Sequence, residues 1–304
     1  MNRHLLAITG GTGFVGGHVL RIAGARQIGA RALTRRPQTG APGLAWVPGA
    51  LDDPAALAQL CEGAGAVIHI AGVISAADRA GFAAGNIAGT EAMIAAARDA
   101  GIRRFIHVSS LAAREPGLSD YGWSKAEAEA AVRASGLDWT IVRPPAVYGP
   151  GDREMLELFR LAAKGFVTLP PGGRLSLIEA SDLARLLLDL VDAPGSIGCS
   201  YEPDDGRERG WDHREFALVL GEAVGRRVRT LSVPAPLLRL AARGDGLIRG
   251  PRAKLTPDRV RYFCHPDWVV TADAMPPPSI WRPEIDTRAG LKATAQSYRE
   301  AGWL

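Results

Sequence analysis

Cysteine is scarce. The 304 residues include three, Cys61, Cys199 and Cys264, an odd number set far apart with no CxxC pair. That spacing excludes a disulfide framework and a cysteine zinc site, so no metal is expected and a reducing cytoplasm is the expected location. Long apolar runs are missing too: none approaches the roughly 20 residues needed to span a bilayer. Met1-Asn2-Arg3-His4 leads directly into a strand-like run rather than a signal-peptide core, and a soluble intracellular protein is expected. Internal repeats and low-complexity tracts are absent. The net charge is only +4, yet residues 226–261 hold ten Lys/Arg against two Asp. That stretch lacks any recognised nucleic-acid reader module, so nucleic acid is not expected as a partner.

Glycine, by contrast, is abundant, with 36 residues, and it is placed where it matters at the start of the chain. The apolar run Leu5-Leu6-Ala7-Ile8 is followed by Thr9-Gly10-Gly11-Thr12-Gly13-Phe14-Val15-Gly16 and then by a helix-like stretch, Val15 to Ala25. Strand, glycine turn and helix start together read as a dinucleotide-binding turn. Gly10 permits the tight bend, Gly13 lets backbone approach a pyrophosphate, and Gly16 lets the helix pack close, with its first N–H groups facing the anion. Its position so early leads to the expectation of no preceding domain. Further strand-like runs at Ala30 to Leu33, Leu44 to Val47, Val67 to Ile70, Phe105 to Val108 and Trp139 to Val142 alternate with Ala-rich helical stretches. Such alternation predicts βαβ units, a parallel sheet and a Rossmann-type doubly wound α/β fold.

A second motif, Tyr121-Gly122-Trp123-Ser124-Lys125, lies beyond Ser109-Ser110, which ends the apolar run Phe105 to Val108. Tyr121 and Lys125 are four apart in a segment, Tyr121 to Ser135, rich in Ala and Glu, so both side chains leave one helix face. They can act on one ligand. A neighbouring ammonium favours the phenolate, so Lys125 is expected to lower the Tyr121 pKa toward the range useful for proton transfer. Tyr121 is the candidate acid/base. An isolated tyrosine–lysine pair could equally sit on a solvated helix face, and Asn86, ahead of Ile87-Ala88-Gly89-Thr90, could simply cap the helix running to Ala100.

Taken together, the glycine turn, Ser110 and the Tyr121–Lys125 pair resemble the short-chain dehydrogenase/reductase family, specifically its extended and atypical branches. The likeness spans nearly the whole chain. It includes Asn86, the run Val67-Ile68-His69-Ile70-Ala71-Gly72, the element Arg143-Pro144-Pro145-Ala146-Val147-Tyr148-Gly149-Pro150 and the ending Tyr298-Arg299-Glu300-Ala301-Gly302-Trp303-Leu304. The resemblance implies a catalytic set of Ser110, Tyr121, Lys125 and Asn86. In it Ser110, preferred over Ser109, hydrogen-bonds the substrate oxygen, Lys125 also holds the nicotinamide ribose, and Asn86 supports the network. Cofactor contacts are implied at Gly10, Thr12, Gly13, Phe14, Val15 and Gly16, at Leu51, Ala71 and Gly72, and at Pro144 and Val147, besides Tyr121 and Lys125. It also implies a homodimer through helices that would include Asn86 to Ala100 and Trp123 to Ser135.

The end of the second strand bears on cofactor choice. Ala30-Arg31-Ala32-Leu33 runs into Thr34-Arg35-Arg36, with no acid to accept from a ribose 2′-hydroxyl. Arginine there accommodates a 2′-phosphate, so NADP(H) is expected, with Arg35 first and Arg36 second as its contacts. Two solvated loop arginines, with NAD(H) as cofactor, are the alternative. Ala50, in Gly49-Ala50-Leu51-Asp52, stands where many relatives carry an Asp toward the adenine.

Departures from the family pattern narrow the substrate. Ala146 replaces the usual Asn of sugar-nucleotide enzymes, and Ser110 is followed by Leu111-Ala112-Ala113 instead of the dehydratases' Asp-Glu pair. Val167-Thr168-Leu169-Pro170-Pro171 adds nothing to grip a sugar. The pattern is similar to the 3β-hydroxysteroid-dehydrogenase-like and atypical groups, which implies hydride transfer to or from an apolar or lipid-like alcohol or ketone. The alternatives are an epimerase acting through a transient ketone and a non-catalytic NAD(P)-binding regulator or assembly subunit. Residues 1–150 are expected to form the dinucleotide-binding domain and 151–304 a smaller substrate-binding region, with 175–192 returning to the sheet. The basic stretch 226–261 reads either as the solvated face of that region, with Leu237, Leu238 and Leu240 in its core, or as a short basic amphipathic helix on an anionic membrane.

Overall fold

A computed structural model describes residues 5–250 and 255–304. Met1 to His4, and Arg252 and Lys254 of the basic stretch, lie outside the described residues. The apolar runs form parallel strands β1 (Leu5–Thr9), β2 (Gly29–Thr34), β3 (Leu44–Pro48), β4 (Ala66–His69), β5 (Arg104–Val108) and β6 (Asp138–Val142). All four residues of β4 are buried, as in a parallel sheet covered on both faces. With Cys199–Tyr201 as the seventh strand, the order is Cys199–Tyr201, β6, β5, β4, β1, β2, β3. The strand order reverses between β1 and β4, which opens the crevice at their carboxyl ends where open α/β sheets bind ligands. Thr9 and His69, the last residues of these two strands, stand opposite each other in register.

One face of this sheet buries Ala7, Val67, Phe105 and Ile141 against Leu57, Leu60, Met93, Ala97 and Val132. Two of the covering helices start on polar caps. Asp53 accepts from the Ala56 N–H ahead of helix Pro54–Cys61, with Pro54 at the first turn, and Ser119 accepts from the Gly122 N–H (2.9 Å) ahead of helix Asp120–Ala134.

Two compact units interleave along the chain. The first takes Met1–Pro144, Ser181–Glu202 and Pro276–Arg282, and the second takes Pro145–Ala180, Pro203–Met275 and Pro283–Leu304. In the expected returning stretch 175–192, the strand Leu177–Glu179 pairs with Ala146–Tyr148 instead of the large sheet, while the helix Ala180–Asp189 passes into the first unit. The strand that joins the sheet comes later, Cys199–Tyr201 beside β6. A three-residue strand is too short to carry a period that distinguishes one sheet from another, so its partner is not encoded locally. The second unit packs short strands and helices around Tyr148, Phe159, Trp211, Phe216, Leu220 and Tyr298.

Candidate active site

The glycine turn fits a dinucleotide on its own geometry. Gly10 has φ +76°, and a Cβ there would lie 2.7 Å from the Ala71 nitrogen, while a Cβ on Gly16 would lie 2.0 Å from the Gly10 carbonyl oxygen. No larger residue fits either place. Thr12 and Gly13 are exposed on the turn, Phe14 and Val15 half-buried behind it, and the helix Phe14–Ala25 begins at Gly13 with no side chain over its first N–H groups. That leaves an anion cradle of backbone donors at the carboxyl edge of β1. Arg35 and Arg36 follow β2 on the same edge, both exposed. The loop is shaped by Thr34, whose hydroxyl donates to the Arg36 carbonyl at 2.6 Å and accepts from its N–H at 3.2 Å. Neither guanidinium has an ion-pair partner among the described residues. Leu51 lies over Gly89, and Pro144 accepts from the Leu111 N–H at 3.0 Å. Val147 belongs to the second unit, where it pairs with Ile178.

Ser110, Tyr121, Lys125 and Asn86 all belong to the first unit, and the structure gathers them beyond the ends of β4 and β5. Ser110 stands near enough to the Tyr121 phenol to favour its ionised form, and its oxygen accepts from the Ala112 N–H at 3.2 Å, which fixes its position at the head of a 3₁₀ turn. Lys125, buried on the Tyr121 helix, donates to the Val108 carbonyl at 2.8 Å. A Cβ on Gly72 would stand 2.7 Å from Asn86 Oδ1 and 3.8 Å from Lys125 Nζ, so the segment after β4 closes directly over both.

Asn86 is not a helix cap. It sits inside a π-helical turn, Ala83–Ala88, which aims its side chain inward. There its Oδ1 accepts from the Val73 N–H (2.7 Å) and its Nδ2 donates to the Val73 carbonyl (3.0 Å) and Ser124 Oγ (2.9 Å). Ser124 in turn donates to the Tyr121 carbonyl at 2.8 Å, so Asn86 ties the Ala71–Val73 segment to the helix that carries the tyrosine. From the same turn, the Asn86 carbonyl accepts from Thr90 (2.6 Å), Thr90 meets His69 Nε2 (3.1 Å), and His69 Nδ1 meets Thr9 (2.7 Å).

The electrostatics differ in one respect from the sequence expectation. Burial pushes the Tyr121 phenol up, nearby Ser110 opposes this, and Lys125 does not lower it, because the ammonium is turned to the Val108 carbonyl. Burial also pushes Lys125 down to about 8, against the pull of the Glu129 carboxylate one helical turn further on. Glu129 is the residue that sequence reasoning passed over. Burial alone would push its carboxyl up, but bidentate Arg143 (2.8 and 2.7 Å), Ser109 (2.6 Å) and Arg133 (2.9 Å) bring it below its usual range. Arg143 and Arg114 also reach Glu202. Its spacing was a usable signal, since Tyr121, Lys125 and Glu129 recur every four residues on one helix face.

Fold, glycine cradle and Ser–Tyr–Lys cluster together define an NAD(P)-dependent oxidoreductase of the Rossmann type. The family model described as NAD(P)H-binding matches residues 10–194. The chain belongs to the extended short-chain dehydrogenase/reductase family. It is 37% identical to ceramide reductase of Caulobacter vibrioides, over 99% of this chain and 96% of that one. It is 31% identical to a 4-hydroxy-2-methyl-3-oxo-4-farnesyl-3,4-dihydroquinoline-1-oxide ketoreductase of Stigmatella aurantiaca, over 84% and 85%. Among solved structures, MoeE5 in complex with UDP-glucose and NAD shares the fold, with a TM-score of 0.75 at 21% identity over 98% of this chain and 99% of that one.

Proposed function

We propose that the protein is an NADP(H)-dependent reductase that converts the keto group of an apolar, lipid-like substrate to an alcohol. The observation that carries this reading is the convergence of buried Ser110, half-buried Tyr121 and buried Lys125, the last two on one helix face. When bound, the nicotinamide supplies the hydride to the carbonyl carbon. Tyr121, held protonated by burial, donates its proton to the carbonyl oxygen, while Ser110 hydrogen-bonds that oxygen and steadies its developing charge. Lys125, on the same helix face, would hold the nicotinamide ribose hydroxyls, and Asn86 fixes the helix and the Gly72 segment relative to each other. Gly10, Gly13 and Gly16 with the helix N-terminus would hold the pyrophosphate, and unpaired Arg35, then Arg36, the 2′-phosphate.

Ala146, at the position of the sugar-nucleotide enzymes' amide, favours a lipid-like substrate over a sugar nucleotide. The name of the Caulobacter relative makes the keto form of a ceramide-like lipid the first compound to try. The reading is tested by following NADPH fluorescence and oxidation with such a ketone, then repeating with NADH and with Arg35→Asp. The expected result is turnover with NADPH, and a preference over NADH that the substitution cuts by about tenfold or more, the loss of one charge-assisted phosphate contact. Failure to bind either nucleotide would overturn the reading.

A further inference from the structure

The helix Ala235–Arg249 of the second unit shows solvent the side that a globular helix normally hides. At about 100° per residue, Leu237, Leu240, Ala241, Gly244, Leu247 and Ile248 share one arc of about 120°. Leu247 and Ile248 are 88% and 85% exposed, and Leu240 and Leu237 are 65% and 56% exposed. Leu237 and Leu240 are therefore not in the core of this region; the opposite side, with Ala242 buried and Leu238 half-buried, faces the protein.

Charge borders this apolar arc. Arg239 and Arg243 run along one margin, both exposed and without an ion-pair partner among the described residues, while Arg249 lies beyond the other, tied to Asp245 at 3.2 Å. Asp245, the only acid on the helix, is thus already engaged. In the segment just before it, Arg226, Arg227 and Arg229 are exposed, and Leu231 is 54% exposed. A bare aliphatic stripe with unpaired guanidinium groups on its rim matches the boundary between acyl chains and anionic headgroups. Fifteen residues, with four charges among them, are too short and too polar to cross a bilayer.

We propose that this helix is an interfacial anchor that lays Leu237, Leu240, Leu247 and Ile248 into an anionic lipid surface, with Arg239 and Arg243 against its headgroups. This anchor follows from the surface alone and does not depend on the chemistry of the active site.

Sedimentation of the full-length protein with vesicles tests it, comparing phosphatidylcholine alone with phosphatidylcholine plus phosphatidylglycerol. Binding is expected to the anionic vesicles at low salt and to weaken as salt rises. Leu247→Asp with Ile248→Asp should abolish it. Arg239→Gln with Arg243→Gln should weaken it about 25-fold, taking about fivefold for each lost cation. Both variants should keep the native thermal unfolding midpoint and NADPH affinity, which separates failure of the anchor from failure of the reductase reading. Absence of binding to anionic vesicles at low salt, or binding untouched by either pair, would overturn the proposal. So would a lipid-free self-association abolished by the Leu247→Asp, Ile248→Asp pair, since the stripe would then join two copies of the chain.

Discussion

Both units bury carboxylates, but they treat them in opposite ways. In the first unit Glu129 is met by Arg143 and Arg133 and ionises more readily than usual. In the second, Asp204 rests on the Ser176 hydroxyl and the Gly206 N–H with no cation paired to it among the described residues, and burial pushes it up to about 6. Asp152, on the N–H groups of Glu154 and Met155, is likewise raised by burial. Burial alone therefore does not set the charge; the partners do. Charge is maintained inside the first unit one helical turn from Lys125, where the proposed proton transfer needs a stable field. The second unit fills its interior with aromatic and aliphatic side chains and moves its unusual features outward. Of the nine large apolar side chains exposed among the described residues, seven lie in it.

The sharpest way to break this comparison is to remove the hub. Glu129→Ala leaves half-buried Arg143 with only its 3.4 Å contact to Glu202, and a loss of about 3 kcal/mol in urea unfolding is expected, the low end for breaking a buried pair. A loss below 1 kcal/mol would mean that the network is not what holds the unit's charge.

Acid should then separate the units. His69 and His107 stack in the first unit with ring centroids 5.5 Å apart. Burial and then Lys125 hold His69 down to about 3, and the same two causes, followed by His69 and Arg133, hold His107 well below its usual value. Both stay neutral in the folded chain while the unfolded chain takes up protons below about 6.5, so stability falls as pH drops, by about 1.4 kcal/mol per pH unit for each. About 2–4 kcal/mol should be gone by pH 5. Asp204 has the opposite sign: its raised folded value means stability is gained as pH falls from about 6 toward 4. Hydrogen exchange at pH 7 and pH 5 should show protection lost in β4 and β5 and not around Ser176–Asp204; equal loss in both would contradict this.

A smaller effect sharpens the same point. Both ring nitrogens of His107 lack a hydrogen-bond partner among the described residues. His107→Leu should therefore stabilise by about 1 kcal/mol at pH 7 and reduce the acid sensitivity, read as a higher urea midpoint. Destabilisation instead would show that the imidazole is satisfied in a way the stacked pair does not reveal.

Much of this was legible in the chain. The glycine turn, the strand runs and the Tyr121–Lys125 spacing follow from local rules of period and backbone shape, and each appears where those rules put it. What was not legible depends on distant residues. Nothing near Leu177 states that its strand pairs with Ala146–Tyr148, and nothing near Cys199 states that it joins β6. Asn86 read equally well as a cap, because a π-helical turn has no local signature separating it from a helix start. The direction of the Tyr121 shift was misjudged for a similar reason, since spacing puts Lys125 on the same face but does not show that its ammonium points to the Val108 carbonyl.

The central claim is that Tyr121 moves the proton in a reduction carried out on the Ser110–Lys125 cluster. Its most direct test is Tyr121→Phe, measured for NADPH affinity by fluorescence and for turnover with a ceramide-like ketone. An unchanged Kd with kcat reduced about 100-fold to 10,000-fold, the contribution of one general acid, is predicted. A variant that binds NADPH normally and retains kcat within a few-fold would contradict it.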